Sequence, residues 1–306
     1  MTFILSSLIV TLFLLSGCIE VSSSDKLDVL VTIVPQGEMV EIIGGDFVTV
    51  TILVPEGQSP HSYEPLPSQM VKVAQANAYF IVGSGIEFEQ AYMDVILEQN
   101  RDIKVFDCSQ NIDIKSYNQH YGYEASHEDE GEHNQEETGD HDYQGTDPHV
   151  WTSPLNVKEM AEIIYEGLKE LDPEHYENYT TNYQNYITSL DDLNQNISQL
   201  LNPYQNRSFM VYHPSWGYFG DTYQLKQIAI EEEGKQPGPA GVAEIISQAR
   251  NESINVIFVS PQFDVSSASV IAEEINGEVI YANPLMSNYH ETLLKITEEI
   301  IKGFQE

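Results

Sequence analysis

Short β-rich apolar runs alternate with segments of helical spacing through most of this chain. The first run, Val29-Leu30-Val31-Thr32-Ile33-Val34, ends at Pro35. Met39, Val40, Ile42 and Ile43 then recur at helical steps up to Gly44-Gly45. Residues 48–54 read as a second strand, 69–76 as a short helix, 79–82 as a third strand, 87–99 as a helix and 103–106 as a fourth strand. Strands separated by helices pair in parallel, in a sheet covered on both faces. The rhythm restarts late in the chain. Residues 209–212, 225–230, 256–259 and 279–282 read as strands, and 239–250, 266–275 and 289–304 as helices.

Between these halves lies a long helical pattern almost free of glycine. Residues 154–171 carry it in Met160, Ile163, Ile164 and Leu168. After Pro173 it continues in Tyr176, Tyr179, Tyr183, Tyr186, Leu190, Leu193, Ile197, Leu200 and Leu201, until Pro203 ends it. Proline suits a first helical turn, and about 30 helical residues reach roughly 45 Å. The stripe reads as core that holds two lobes in a fixed relation. The expected fold is α/β, two lobes with parallel sheets bridged by one long rigid helix. Its boundaries are an N-terminal lobe over 28–171, a linking helix over 172–202 and a C-terminal lobe over 203–306.

Composition narrows the class. The 306 residues, 41% hydrophobic, suffice for two cores. With 13 basic and 48 acidic residues the formal charge is −35. Residues 117–147 hold ten acids and no Lys or Arg, and removing them still leaves −25. That field repels nucleic acid and anionic lipid and gathers cations; a surface adapted to a salty medium accounts for it equally well. No nucleic-acid partner is expected.

Met1 to Ile19 is uncharged, and Leu15-Ser16-Gly17-Cys18 resembles the lipobox of bacterial-type lipoproteins. That resemblance implies a signal peptide over 1–17, lipidation at Cys18 and a spacer over 18–27. A basic n-region is missing, and an uncleaved apolar anchor is the alternative. Either way the body is exported and tethered at the outer face of the cytoplasmic membrane, periplasmic or on the cell surface. Cys108 is then the one cysteine left, so no internal disulfide is expected. Asn-x-Ser/Thr triplets at Asn178, Asn196, Asn206 and Asn251 arise easily by chance and carry little weight for glycosylation.

Candidate chemistry sits where strands end, since ligands of open α/β sheets bind beyond the carboxyl ends. After the second strand comes PEGQSPHSYEP with His61. TDPHVWTSP with His149 follows the acidic segment, and HPSWGYFGDTY with His213 follows the strand at 209–212. The last strand leads into NPLMSNYH with Asn283. Neutral imidazole is the commonest metal ligand, and three histidines with an open fourth position form a known zinc pattern. Alone, each histidine would be read as a surface or capping group; three at matching positions in two lobes point to a cleft between them.

These phrases, together with GKQPGPAGVAEI, FVSPQF followed by IAEEI, and the final NPL, resemble the substrate-binding lipoproteins of metal-ion ABC importers, specifically the zinc-uptake branch. The resemblance runs from about Val29 to the C-terminus with the motifs in order. It implies a metal site in the inter-lobe cleft, with Zn2+ as the transported ligand held by His61, His149 and His213. It also implies an importer permease and its ATPase as partners, a lipid-anchored monomer and no enzymatic activity. The family usually has an aspartate before Pro-Leu, where this chain has Asn283. The fourth position therefore falls to water, the Asn283 oxygen or a nearby carboxylate such as Glu64.

The resemblance also covers the crowded segment before DPHVW, since zinc-type members often carry a His- and acid-rich loop there. His120, His127, His133 and His141 lie among Glu, Asp, Gly and Gln, a composition that cannot build a packed core. A disordered loop of weak accessory metal sites is expected over 117–147. His213, where manganese-type relatives usually have glutamate, favours zinc over manganese, since manganese prefers oxygen-rich sites. The alternatives are a manganese or other divalent-metal binding protein of the same family, a surface adhesin, and a zinc hydrolase with Glu64 as base, for which no HExxH-like motif is present.

Overall fold

The computed structural model describes residues 26–116, 145–231, 235–263 and 265–305. The leader with Cys18, the spacer up to residue 25 and His120, His127, His133 and His141 lie outside the described residues.

Two four-stranded parallel sheets carry the fold. The first lobe contains β1 (Leu27–Val31), β2 (Val48–Ile52), β3 (Ala78–Ile81) and β4 (Lys104–Asp107), in the order β2-β1-β3-β4. The second contains β5 (Ser208–Val211), β6 (Lys226–Ala229), β7 (Val256–Val259) and β8 (Glu278–Tyr281), in the matching order β6-β5-β7-β8. Helices α1 (Val34–Gly44), α2 (Pro67–Val73) and α3 (Glu87–Gln99) connect the first set. The second set is connected by α6 (Gly217–Tyr223), α7 (Pro239–Asn251) and α8 (Ser266–Glu274), and α9 (Tyr289–Gln305) closes the chain. The central strands β5 and β7 are buried throughout, as expected where helices cover both faces of a sheet.

Helices α4 (Pro154–Leu171) and α5 (Tyr176–Leu201) join the halves. Pro173 opens a 3-10 turn over Pro173–His175, with α5 beginning one residue later, and a second 3-10 turn over Asn202–Tyr204 ends the rod. The buried stripe of α5 is Tyr179, Tyr186, Leu190, Leu193, Ile197 and Leu201. It packs on α1 of the first lobe and α9 of the second. One hydrophobic cluster therefore runs unbroken from Leu30 and Phe80 through Leu190 to Phe219 and Leu293, and a smaller one fills the outer face of the second lobe. A continuous core across both lobes resists free hinge bending and leaves small sliding adjustments as the cheaper motion.

Polar bonds stitch the same seam. Trp151 Nε1 donates to the Pro284 carbonyl (2.7 Å), and Tyr289 Oη donates to the Trp151 carbonyl (3.0 Å). The Lys115 backbone N–H donates to Tyr218 Oη, and the Lys115 ammonium pairs with Asp221. Most strand boundaries differ from the sequence reading by one or two residues. One element differs in kind: the HPSWGYFGDTY stretch, read as a loop, contains helix α6. Its Tyr218, Phe219 and Tyr223 bury a face that two glycines had disguised.

Candidate metal centre

The loop after β2 carries His61. Leu53 and Val54 prolong the pairing with β1 through bonds to the carbonyls of Val31 and Thr32. Gln69 then clamps the loop, donating from Nε2 to the Leu53 carbonyl (2.6 Å) and accepting the Leu66 N–H (2.8 Å). The Phe88 N–H, in the first turn of α3, reaches the Pro60 carbonyl. The loop that carries the imidazole is thus tied to α2 and to the first turn of α3 within one lobe.

His149 follows a turn built by Asp147, whose Oδ1 accepts both the His149 backbone N–H (2.9 Å) and ring Nδ1 (2.7 Å). Ser84 holds the Pro148 carbonyl (2.6 Å), and Tyr218 Oη donates to the Asp147 carbonyl (3.2 Å). His213 sits two residues past β5, with its ring stacked on Phe263 at a centroid distance of 4.5 Å.

These three loops bring three rings to one point. The Nε2 atoms of His61 and His149 are 3.3 Å apart, as are those of His213 and His149. All three donor atoms lie within 4.8 Å of one another, the one such convergence of His, Cys, Asp or Glu side chains among the described residues. Zinc holds imidazole nitrogens at about 2.0–2.1 Å, and tetrahedral ligands at that radius stand roughly 3.3 Å from one another.

The opposite nitrogen of each ring meets a carboxylate. His61 Nδ1 bonds Glu87 Oε2 (2.6 Å), His149 Nδ1 bonds Asp147 Oδ1 (2.7 Å), and His213 Nδ1 bonds Glu231. An ionised carboxylate only accepts, so with the three acids ionised these contacts place the proton on Nδ1 and leave the Nε2 lone pairs bare. The environment keeps the inner rings neutral. Burial pushes the His149 pKa below its usual value, partly offset by the Asp147 bond. His213 lies well below the usual value, through burial and then the neighbouring imidazoles. Burial also raises the Glu231 carboxyl to about 7. Burial would likewise raise Glu87, but its bond to His61 and the attraction of that ring outweigh burial and leave its pKa lowered.

Sequence reasoning had not singled out Glu87, Glu231 or Asp147. The Asp two residues before His149 was a visible signal; the two glutamates look like surface acids in the sequence. The remaining candidates sit apart. Asn283 Oδ1 accepts from Gln262 Nε2 (3.1 Å) and from the Leu285 N–H (3.0 Å), so its oxygen caps its own loop. Glu64 is exposed. Neither lines the cleft at the rings, which is walled by Ser59, Pro60, Trp151, Phe263 and Leu285.

The sequence model of the family described as ZnuA, zinc-uptake complex component A, periplasmic, matches residues 29–306. A crystal structure of ZnuA superposes with a TM-score of 0.82 at 34% identity, covering 91% of this chain and 99% of that one. The manganese-binding lipoprotein MntA of Halalkalibacterium halodurans is 26% identical over 251 residues, 79% of this chain and 75% of its own length. The zinc-binding lipoprotein AdcA of Streptococcus pneumoniae is 26% identical over 304 residues. The alignment takes in 96% of this chain but 58% of that longer protein.

Proposed function

The chain belongs to the zinc-uptake complex component A family, and from that premise we propose that it captures Zn2+ through His61, His149 and His213 and delivers it to an ABC importer. The observation that carries this reading is the 3.3 Å spacing of bare Nε2 atoms, each backed by a carboxylate on Nδ1. Two neutral lone pairs at that distance repel unless a cation stands between them. Imidazole donors suit zinc, whereas manganese prefers oxygen ligands. The fourth position falls to water, since the Asn283 oxygen is engaged elsewhere and Glu64 stands outside the cleft.

Release fits the same geometry. His149 comes from the first lobe and His213 from the second, so a small slide of one lobe on the other changes their separation and weakens the site without unfolding a loop. The partners in this reading are a permease and its ATPase, with the protein held at the outer membrane face by lipid on Cys18 and acting as a monomer. It is a carrier and not a hydrolase: Glu64, the candidate base, is exposed and does not line the cleft.

A second reading, manganese as cargo, is favoured by the similarity to the manganese-binding MntA. Metal analysis of protein purified without added metal, followed by competitive titration of zinc against manganese, separates the two. Manganese in the purified protein, or manganese displacing zinc at equal concentration, would overturn the zinc assignment.

A further inference from the structure

Three neutral imidazoles leave the full 2+ charge of the cargo uncompensated in the first shell, and no carboxylate occupies the fourth position. The counter-charge stands one hydrogen bond further out. We propose, on the reading that the three histidines hold zinc, that Asp147 and Glu231 are positioning residues that supply this charge through the rings, so that nitrogen-only ligation still binds a dication tightly. Glu87 does the same for His61, more weakly.

Burial separates the three. The Asp147 side chain is 0% exposed and the Glu231 side chain 3%, against 55% for Glu87. Adding the imidazole width and the two bonds puts each carboxylate about 6–7 Å from the cation, inside the Debye length of about 8–10 Å. Asp147 and Glu231 are also shielded from water, so their field reaches the cation with little screening, whereas solvent damps that of Glu87.

Glu231 lies just past β6 and Asp147 just past the Ser116–Thr146 bridge, and each is set behind its ring. Glu231 follows β6 and donates its N–H to the Tyr212 carbonyl beside His213. Asp147 receives both the backbone and the ring of His149, so the carboxylate that charges the site also orients it.

Burying two carboxylates costs stability unless a cation repays it. A purely structural acid and a counter-charge acid therefore predict opposite behaviour in the metal-free protein. Removing a structural acid lowers the melting temperature. Removing a counter-charge keeps or raises it, while zinc binding weakens.

The experiment measures zinc affinity and metal-free melting for wild type, His213→Ala, Glu231→Gln, Glu231→Leu, Asp147→Asn and Glu87→Gln. The amide keeps an acceptor for Nδ1–H but removes the charge. Losses of about 10- to 100-fold in zinc affinity are expected for Glu231→Gln and Asp147→Asn, the range typical of an outer-shell partner. Glu231→Leu should lose more, and Glu87→Gln less than either buried variant. The metal-free melting temperature of Glu231→Gln should equal or exceed that of wild type. The visible spectrum of the cobalt-loaded amide variants should keep its tetrahedral form, showing loss of charge and not of geometry. The proposal falls if Glu231→Gln and Asp147→Asn bind zinc as wild type does while His213→Ala does not. It also falls if affinity and metal-free melting drop together in Glu231→Gln. If wild type itself binds no zinc, the ligand assignment beneath the proposal has failed.

Discussion

The Nε2 atoms of His149 and His213 lie 3.3 Å apart, although one ring stands on the first lobe and the other on the second. The contact has no good donor, because each ring directs its Nδ1 at a carboxylate. With both rings kept neutral by burial, the two bare lone pairs repel at that distance. A dication resolves the repulsion, which makes the inter-lobe seam sensitive to cargo.

The first expectation concerns the ligands. His61→Ala, His149→Ala and His213→Ala should each weaken zinc binding by more than the 10- to 100-fold typical of losing an outer partner. Isothermal titration is the measurement. His149→Ala should be the most damaging, since its Nε2 contacts both other rings. Wild-type affinity in that variant would mean the metal binds elsewhere.

Zinc binding should also depend on pH with a definite sign. Burial holds the pKa of His149 and His213 below the usual value, so both rings are neutral at pH 7 and need lose no proton. As pH falls below the ordinary histidine value of about 6.5, protonation of these rings is favoured in the unfolded chain, and their contribution to stability is progressively lost. Glu231 acts in the opposite sense without metal. Its folded pKa of about 7 is raised, so its stabilising contribution is lost as pH rises toward 7. Zinc needs the rings neutral and benefits from the carboxylate ionised, so both groups make affinity rise with pH through about 7 and level off above it. An affinity flat from pH 5 to 8 would contradict this.

Fluorescence should report the cargo through one ring. Trp151 is fully buried, 5.3 Å from the His149 ring and bonded across the seam to Pro284. Trp216 instead packs edge-on against Phe219. Saturating zinc should change the emission of wild type and of Trp216→Phe alike. If Trp216→Phe abolishes the change, the seam does not respond as described.

The parts of this design that were legible in the sequence are those fixed by local pattern. The buried run at Val29, the helix at Glu87–Gln99 and the rod after Pro173 announce themselves because burial on two faces, or one continuous stripe, constrains every residue type. His61 and His213 were legible because each follows a strand, and His149 because its DPHVW phrase breaks so sharply from the acidic segment before it. Glu87 and Glu231 were not, since a carboxylate that backs an imidazole differs from a solvated acid only in what the fold sets beside it. Helix α6 was hidden because Gly217 and Gly220 imitate a loop, and only packing on the seam makes its aromatic face informative.

Deleting residues 119–145 should leave the cleft site intact and remove only weak, additional ion binding. Ser116 and Thr146 already form an antiparallel bridge, and the deletion leaves residues 117 and 118 between them, a hairpin-length connection. Calorimetry on the deletion should retain the tight phase. Loss of tight binding would mean that the excised segment supplies a primary ligand.

The remaining expectation turns on Asn283. Its Oδ1 accepts from Gln262 and from the Leu285 N–H, and its Nδ2 donates to the Leu285 carbonyl (3.2 Å). In Asn283→Asp the first oxygen can keep both donors. The second oxygen would face the Leu285 carbonyl, lone pair against lone pair, and be driven from that place. Turning toward the cleft relieves the repulsion and offers a charged oxygen to the cation. Such a ligand adds charge to a site that otherwise has none in its first shell, and manganese, which depends more on oxygen donors, should gain more than zinc. Competitive titration of both ions against wild type and variant is the measurement. Both should bind more tightly to the variant, with the larger gain for manganese, and zinc release should slow. If manganese gains nothing, residue 283 does not reach the ion in either protein; if wild type already prefers manganese, the argument from three imidazoles to zinc fails.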